Sequence, residues 1–163
     1  MKILLLLCSL FFSINSFCQN TVILKNENYN QEIVGVSNIG DKILINNLPL
    51  FSCCFEDEKC NLRNLLFEQI ALFIKNNPNF IFEISSHTDA QGDDNFNLKL
   101  SQRIADNYKD FFFEKGINKN RIKSKGYGET QILNECKNGI KCSIKKHQEN
   151  RRIEIKIIEI KES

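Results

Sequence analysis

The sequence predicts an α/β fold: an α+β sandwich in the order β-α-β-α-β-β, with helices packed on one face of a mixed sheet. Three observations carry this reading. Residues 61–76 and 97–115 place apolar side chains at helical spacing. Between them "FIFEIS" is a β-rich run, and after them "RRIEIKIIEIK" alternates charged and apolar residues with the two-residue period of a half-buried strand. Helical and extended segments therefore alternate along the chain, and such chains bury themselves by layering helices on a sheet.

The elements follow in order. "MKILLLLCSLFFSINSFCQN" opens with Lys2, continues with an apolar stretch and ends on small residues Ser16 and Cys18. This is the pattern of a secretory signal peptide covering residues 1–18, with an apolar stretch too short to span a bilayer. Acylation at Cys18 is the rival reading, and bulky Phe17 in front of the cysteine argues against it. Residues 19–41 are polar and Asn-rich and read as an N-terminal extension. The folded domain is expected over residues 42–160. Its first strand is "KILINNLPLF". The first helix places Leu62, Leu65, Leu66, Ile70, Phe73 and Ile74 on one face and ends at Asn77-Pro78. The second helix carries a stripe of Leu100, Ala105, Tyr108 and Phe112, with Gly116 at the position beyond its C-cap. "RIKSKGYG" is a short strand, and a polar helical segment to Glu149 precedes the last strand.

Composition narrows the function. The 163 residues carry a net charge of +2, which gives no electrostatic case for nucleic acid as a partner. No segment after the leader is apolar enough to span a bilayer. Of seven cysteines, Cys53, Cys54, Cys60, Cys136 and Cys142 follow the leader, and export makes disulfides the default. Cys136 and Cys142 bracket the Asn138-Gly139 turn signal and are expected to pair. One of Cys53 and Cys54, assigned here as Cys54, pairs with Cys60 and leaves one thiol over. The spacing Cys-Cys-x5-Cys matches no common zinc knuckle.

The chemistry concentrates in "SSHTDAQGDDNFNLKLSQRIA". Asp89 follows the end of a strand, where α/β sheets present ligands. His87 and Thr88 precede it, Gly92 lets the loop turn, and Ser101 and Arg103 lie in the first turns of the next helix. A carboxylate and a guanidinium facing one crevice can hold a zwitterion, Asp89 taking the ammonium and Arg103 the carboxylate. His87, Asp89, Asp93 and Asp94 lack the alternating pattern of a calcium loop, so no metal is expected. His87 and His147 come with no Ser or Cys nucleophile motif, so neither catalysis nor a cofactor is indicated.

"HTDAQGDDNFNLKLSQRIA", "GINKNRIKSKGYGE" and "NRRIEI", in that order, resemble successive blocks of the OmpA-like peptidoglycan-binding domain, the family of the OmpA C-terminal domain, Pal and MotB. The resemblance covers residues 42–158, and the Cys136–Cys142 loop before "NRR" looks like the Bacteroidetes-type variant. It implies the fold already read, exported location in the periplasm or at the outer membrane, and non-covalent binding of peptidoglycan through the zwitterionic end of diaminopimelate in the peptide stem. Asp89 matches the aspartate that takes the ammonium; Thr88, Asn97, Leu100 and Ser101 match the same groove; Arg152 matches an arginine beside the pocket. One position departs. The family pattern L-S-x-x-R-A places an arginine where this chain has Ile104, and Arg103 stands one residue early, about 100° around the helix. Losing a charged hydrogen bond there costs about 1.5–3 kcal/mol. Two functions are therefore expected to compete. One tethers the outer membrane or an envelope complex to the cell wall. The other uses the same fold, with a degenerate site, as a periplasmic protein-interaction module.

Overall fold

The computed structural model of the chain describes residues 21–24, 35–46 and 58–162. The expected leader lies outside the described residues, as do Cys53, Cys54 and the side chain of Cys60, and with them the Cys54–Cys60 pairing.

The chain runs β1 (Thr21–Leu24), β2 (Lys42–Asn46), α1 (Glu58–Asn76), β3 (Phe80–His87), α2 (Asp94–Glu114), a 3-10 turn (Lys119–Arg121), β4 (Ile122–Gly128), α3 (Ile144–Asn150) and β5 (Arg152–Ile160). The sheet order is β1-β2-β5-β3-β4. β5 is the middle strand and runs antiparallel to both β2 and β3, whereas β1 is parallel to β2 and β4 is parallel to β3. The sheet is mixed, as the sequence predicts. The return of the last strand to the centre of the sheet is a topological fact that periodicity cannot supply.

The alternation in β5 explains the two faces. Ile153, Ile155 and Ile157 are fully buried and join Ile43, Ile45, Phe82, Ile84 and Ile122 in one core with α1 and α2. Arg152, Glu154 and Lys156 fall on the other face, opposite His87, Ser85 and Glu83 of β3.

α1 buries Leu66, Phe67, Ile70, Ala71 and Ile74. Leu65, expected on this face, is 55% exposed. It lies about 100° beyond one edge of the stripe, and Phe67 on the other side is buried instead. Phe67 stacks on Tyr108 of α2 with ring centroids 4.2 Å apart, which locks the two helices together. The Arg121 guanidinium donates to the carbonyls of Ile74, Asn77 and Phe80, so it ties the end of α1 to the start of β3.

α2 begins where the Asp93 side chain accepts the backbone N–H of Phe96 at 2.9 Å. It ends in a Schellman pattern: Gly116 sits at φ +80°, with its N–H on Phe113 and the Ile117 N–H on Phe112. Its buried side chains are Asn97, Ser101, Ile104, Ala105 and Phe112, with Leu100 and Tyr108 partly buried against the core. The stripe is longer than its apolar residues suggest, because its first two members are polar.

The segment expected as an extension contributes to the sheet. Thr21–Leu24 forms the β1 edge, and Val36 joins the core. Buried Asp41 accepts the N–H groups of Ser37 and Asn38, while Gly40 donates to Ile157 of β5.

Candidate functional site

The site forms where β3 and β4 end beneath the first turns of α2. Thr88 leaves β3 with its N–H on the Gly128 carbonyl at 2.9 Å, so both strand ends are pinned at the same level. Asp89 follows. Its Oδ1 accepts the Gln91 N–H at 3.0 Å, folding the loop into an Asx turn. Gly92 then takes φ +103°, and Asp93 caps α2.

Two polar residues on the inner face of α2 hold this loop. The Asn97 amide donates to the carbonyls of Asp89 and Gln91 at 3.4 and 3.1 Å and to Glu129 Oε2 at 2.6 Å. The Ser101 hydroxyl donates to Leu98 and accepts the Gly128 N–H at 2.8 Å. The Gln102 side-chain oxygen Oε1 accepts the Gly126 N–H at 2.8 Å. These bonds require α2 to lie directly on β4, and Gly126 permits it. A Cβ there would stand 2.1 Å from the Gln102 nitrogen, where no real contact exists. The "GYG" motif is thus the seat of α2.

The Cys136–Cys142 disulfide closes the loop after β4. Asn138 within it donates to Glu129 Oε1 at 2.6 Å and to Asp94 Oδ1 at 3.2 Å. A continuous chain of hydrogen bonds therefore runs from the disulfide loop through Glu129 and Asn97 to the Asp89 turn. Sequence reasoning gave Asn138 only a turn role and gave Glu129 and Gln102 no site role. Glu129 stands inside the quoted "GYGE" block, but its spacing to Asn97 exists only in three dimensions.

The arginines separate. Arg151, the C-cap of α3, places a guanidinium nitrogen 3.2 Å from Asp89 Oδ2. Arg152 is 2% exposed, donates to Glu154 Oε1 at 2.8 Å and to the Asn150 carbonyl at 3.2 Å, and has no contact with Asp89. Of the two arginines of "NRR", Arg151 and not the expected Arg152 is the one beside Asp89. Arg152 is the first residue of β5, and strand alternation sends it to the same face as Glu154, while Arg151 precedes the strand. Arg103 is exposed on α2 and makes neither a hydrogen bond nor an ion pair among the described residues, so it is not brought to Asp89. Leu100 packs partly buried against the core. Ile104 is 6% exposed and belongs to the hydrophobic cluster.

The site holds unspent hydrogen-bonding capacity. Ser86 Oγ, Thr88 Oγ1, Asp89 Oδ2 and both His87 nitrogens are buried without a hydrogen-bond partner. Asp89 Oδ2 has Arg151 at ion-pair distance but not at hydrogen-bond angle. His87 is 1% exposed and stacks on Tyr127 with centroids 5.1 Å apart. Burial, reinforced by the nearby Arg152 charge, pushes its pKa down to about 3, so the imidazole is neutral at physiological pH. Glu154 is held below the usual carboxylate range: burial pushes it up, but hydrogen bonds from Lys42 and Arg152 outweigh that. Among the described residues, the one grouping of close metal-ligating atoms is Glu135, Cys136 and Cys142, and both sulfurs are spent in the disulfide. No helix among them is long and apolar enough to cross a membrane.

Comparisons with known proteins agree with this architecture. The periplasmic domain of Helicobacter pylori MotB superposes with a TM-score of 0.57 at 18% identity, covering 77% of this chain and 80% of that one. The cell wall anchor of the T6SS from Pseudomonas aeruginosa gives 0.57 at 20% identity, covering 72% and 80%. Outer membrane porin F of Pseudomonas fluorescens is 39% identical over 64 residues, 39% of this chain. The chain spans 9% of the length of one curated relative that it matches and 20% of the other, porin F. The model of the OmpA family matches residues 55–153, from ahead of α1 into β5, including every residue of the Asp89 site. The chain belongs to the OmpA family.

Proposed function

We propose that this domain binds peptidoglycan non-covalently, gripping the zwitterionic end of diaminopimelate in the peptide stem, and so tethers an outer-membrane or envelope complex to the cell wall. The observation that carries the reading is Asp89 itself. It is a carboxylate 5% exposed, fixed by its own Asx turn, with one oxygen that accepts no hydrogen bond. A buried acceptor in that state costs free energy until a donor reaches it. A ligand ammonium is such a donor, and the unpartnered Thr88 hydroxyl beside it offers a second contact. Family membership and the likeness of the fold to a cell wall anchor support the same ligand.

A second reading is favoured by Ile104. The family's basic position on α2 is here a core residue, so the fold can serve as a protein-interaction module with no cell-wall site. Co-sedimentation with purified sacculi separates the two. The wild-type domain is expected to pellet with sacculi and Asp89→Ala to stay in the supernatant. Equal behaviour of the two proteins would leave the interaction module as the better account.

A further inference from the structure

The cell-wall reading leaves the ligand's carboxylate without a partner on α2. Ile104 lies in the core, and Arg103 is exposed with no hydrogen bond or ion pair among the described residues. Arg152 is spent on Glu154 and the Asn150 carbonyl. Arg151 differs from all three. Its side chain is 35% exposed, and among the described residues its one polar side-chain contact is the 3.2 Å approach to Asp89 Oδ2. Among those residues the rest of its guanidinium fork has no acceptor and can meet a planar one.

We propose that Arg151 is the basic half of this site, a specificity-determining residue that takes the ligand carboxylate from the β5 side in place of the arginine missing from α2. The inference rests on the cell-wall reading and adds a closing mechanism to it. Arg151 stands 3.2 Å from Asp89 Oδ2. An incoming amino-acid end, with ammonium and carboxylate on one carbon, substitutes its ammonium for the guanidinium at Asp89 Oδ2. The displaced guanidinium then meets the carboxylate of the same carbon. The ion pair of the free protein is exchanged for two ion pairs with the ligand. A ligand bearing only an ammonium must break the Asp89–Arg151 pair with no second contact in return, so the site selects against it. The Cys136–Cys142 loop and Glu129 hold Asn97, which holds the Asp89 turn, so the acidic half stays fixed while Arg151 swings.

The test is calorimetric titration of the full mature chain with two muramyl tripeptides. One ends in meso-diaminopimelate with the carboxylate beside its free ammonium intact, and in the other only that carboxylate is amidated. Wild type is expected to prefer the free carboxylate by about tenfold or more, the scale of one charge-assisted hydrogen-bonded pair. Arg151→Gln is expected to lose that preference, binding the free form as weakly as the amidated form, and to bind the amidated form at least as well as wild type does. Arg151→Lys should keep part of the preference, and Arg103→Gln all of it. Retention of the full preference by Arg151→Gln, or its loss in Arg103→Gln, overturns the role given to Arg151 while leaving the cell-wall reading standing. Failure of wild type to bind either peptide overturns both. Binding that Asp89→Ala leaves untouched does the same.

Discussion

Two arginines in succession, Arg151 and Arg152, each face a buried carboxylate, and the two pairs behave differently. Arg152 and Glu154 form a closed pair. The guanidinium is almost fully buried, its donors are placed on Glu154 and a carbonyl, and Lys42 Nζ takes the second Glu154 oxygen at 2.9 Å. Arg151 and Asp89 form an open pair. The guanidinium is partly exposed, the contact lacks hydrogen-bond geometry, and the carboxylate oxygen it approaches is otherwise unpartnered. The closed pair is buried and hydrogen-bonded on both sides, whereas the open pair is partly exposed and not hydrogen-bonded. The same residue types thus make two different pairs in successive positions, and the difference is set by burial and hydrogen bonding rather than by charge.

The largest effect expected from this contrast is on stability. Arg152→Ala strands Glu154 in a buried setting with Lys42 alone, and urea denaturation should show a loss of about 3–5 kcal/mol. Replacing Arg152 and Glu154 together with apolar residues of similar size should return much of that loss, because the remaining charge is no longer buried unpaired.

Acid should reveal the closed side next. His87 faces Arg152, Glu154 and Lys42, and its pKa in the fold is about 3 against an ordinary 6.5. Between those values the unfolded chain binds the proton and the folded chain does not, so stability is full above pH 6.5 and falls as pH drops toward 3. The slope is about 1.4 kcal/mol per pH unit once the unfolded histidine is protonated. Read between pH 6 and pH 5, above the carboxylate range, this slope should flatten in His87→Phe, which keeps a ring against Tyr127.

On the open side the disulfide loop supports the Asp89 turn through Asn138, Glu129 and Asn97. Cys136→Ser with Cys142→Ser should cost about 2 kcal/mol for so short a loop. It should also raise hydrogen exchange at Gln91, whose amide is held by Asp89. The smallest effect is expected at Arg151 itself. As a partly exposed ion pair, its replacement by Ala should change stability by no more than about 1 kcal/mol, and an Arg151→Ala loss comparable with that of Arg152→Ala would erase the distinction between the pairs.

The fold was legible because its information is periodic. β5 alternates, α1 and α2 repeat at helical spacing, and Gly116 and Asp93 mark the ends of α2 in ways a linear reading can use or come near. The site was legible only in part. Asp89, Thr88, Asn97 and Ser101 do meet at one strand end, as the quoted blocks imply. The arginines were not readable in the same way. Whether Arg151 or Arg152 faces Asp89 depends on where β5 begins, and a one-residue shift in that start reverses the answer. Ile104 was read as a position on a groove, yet it is core, because the polar residues Asn97 and Ser101 conceal the stripe to which it belongs. Glu129 was silent and Asn138 was legible only as a turn residue, since their roles at the site arise from contacts across 32 and 44 residues of chain.

A structure of the domain bound to muramyl tripeptide with a free diaminopimelate end tests the central claim most directly. The account predicts the ligand ammonium on Asp89 Oδ2, the Arg151 guanidinium on the ligand carboxylate, and the Arg152–Glu154 pair unchanged. A ligand seated elsewhere, with the Asp89–Arg151 contact still at 3.2 Å, would contradict it.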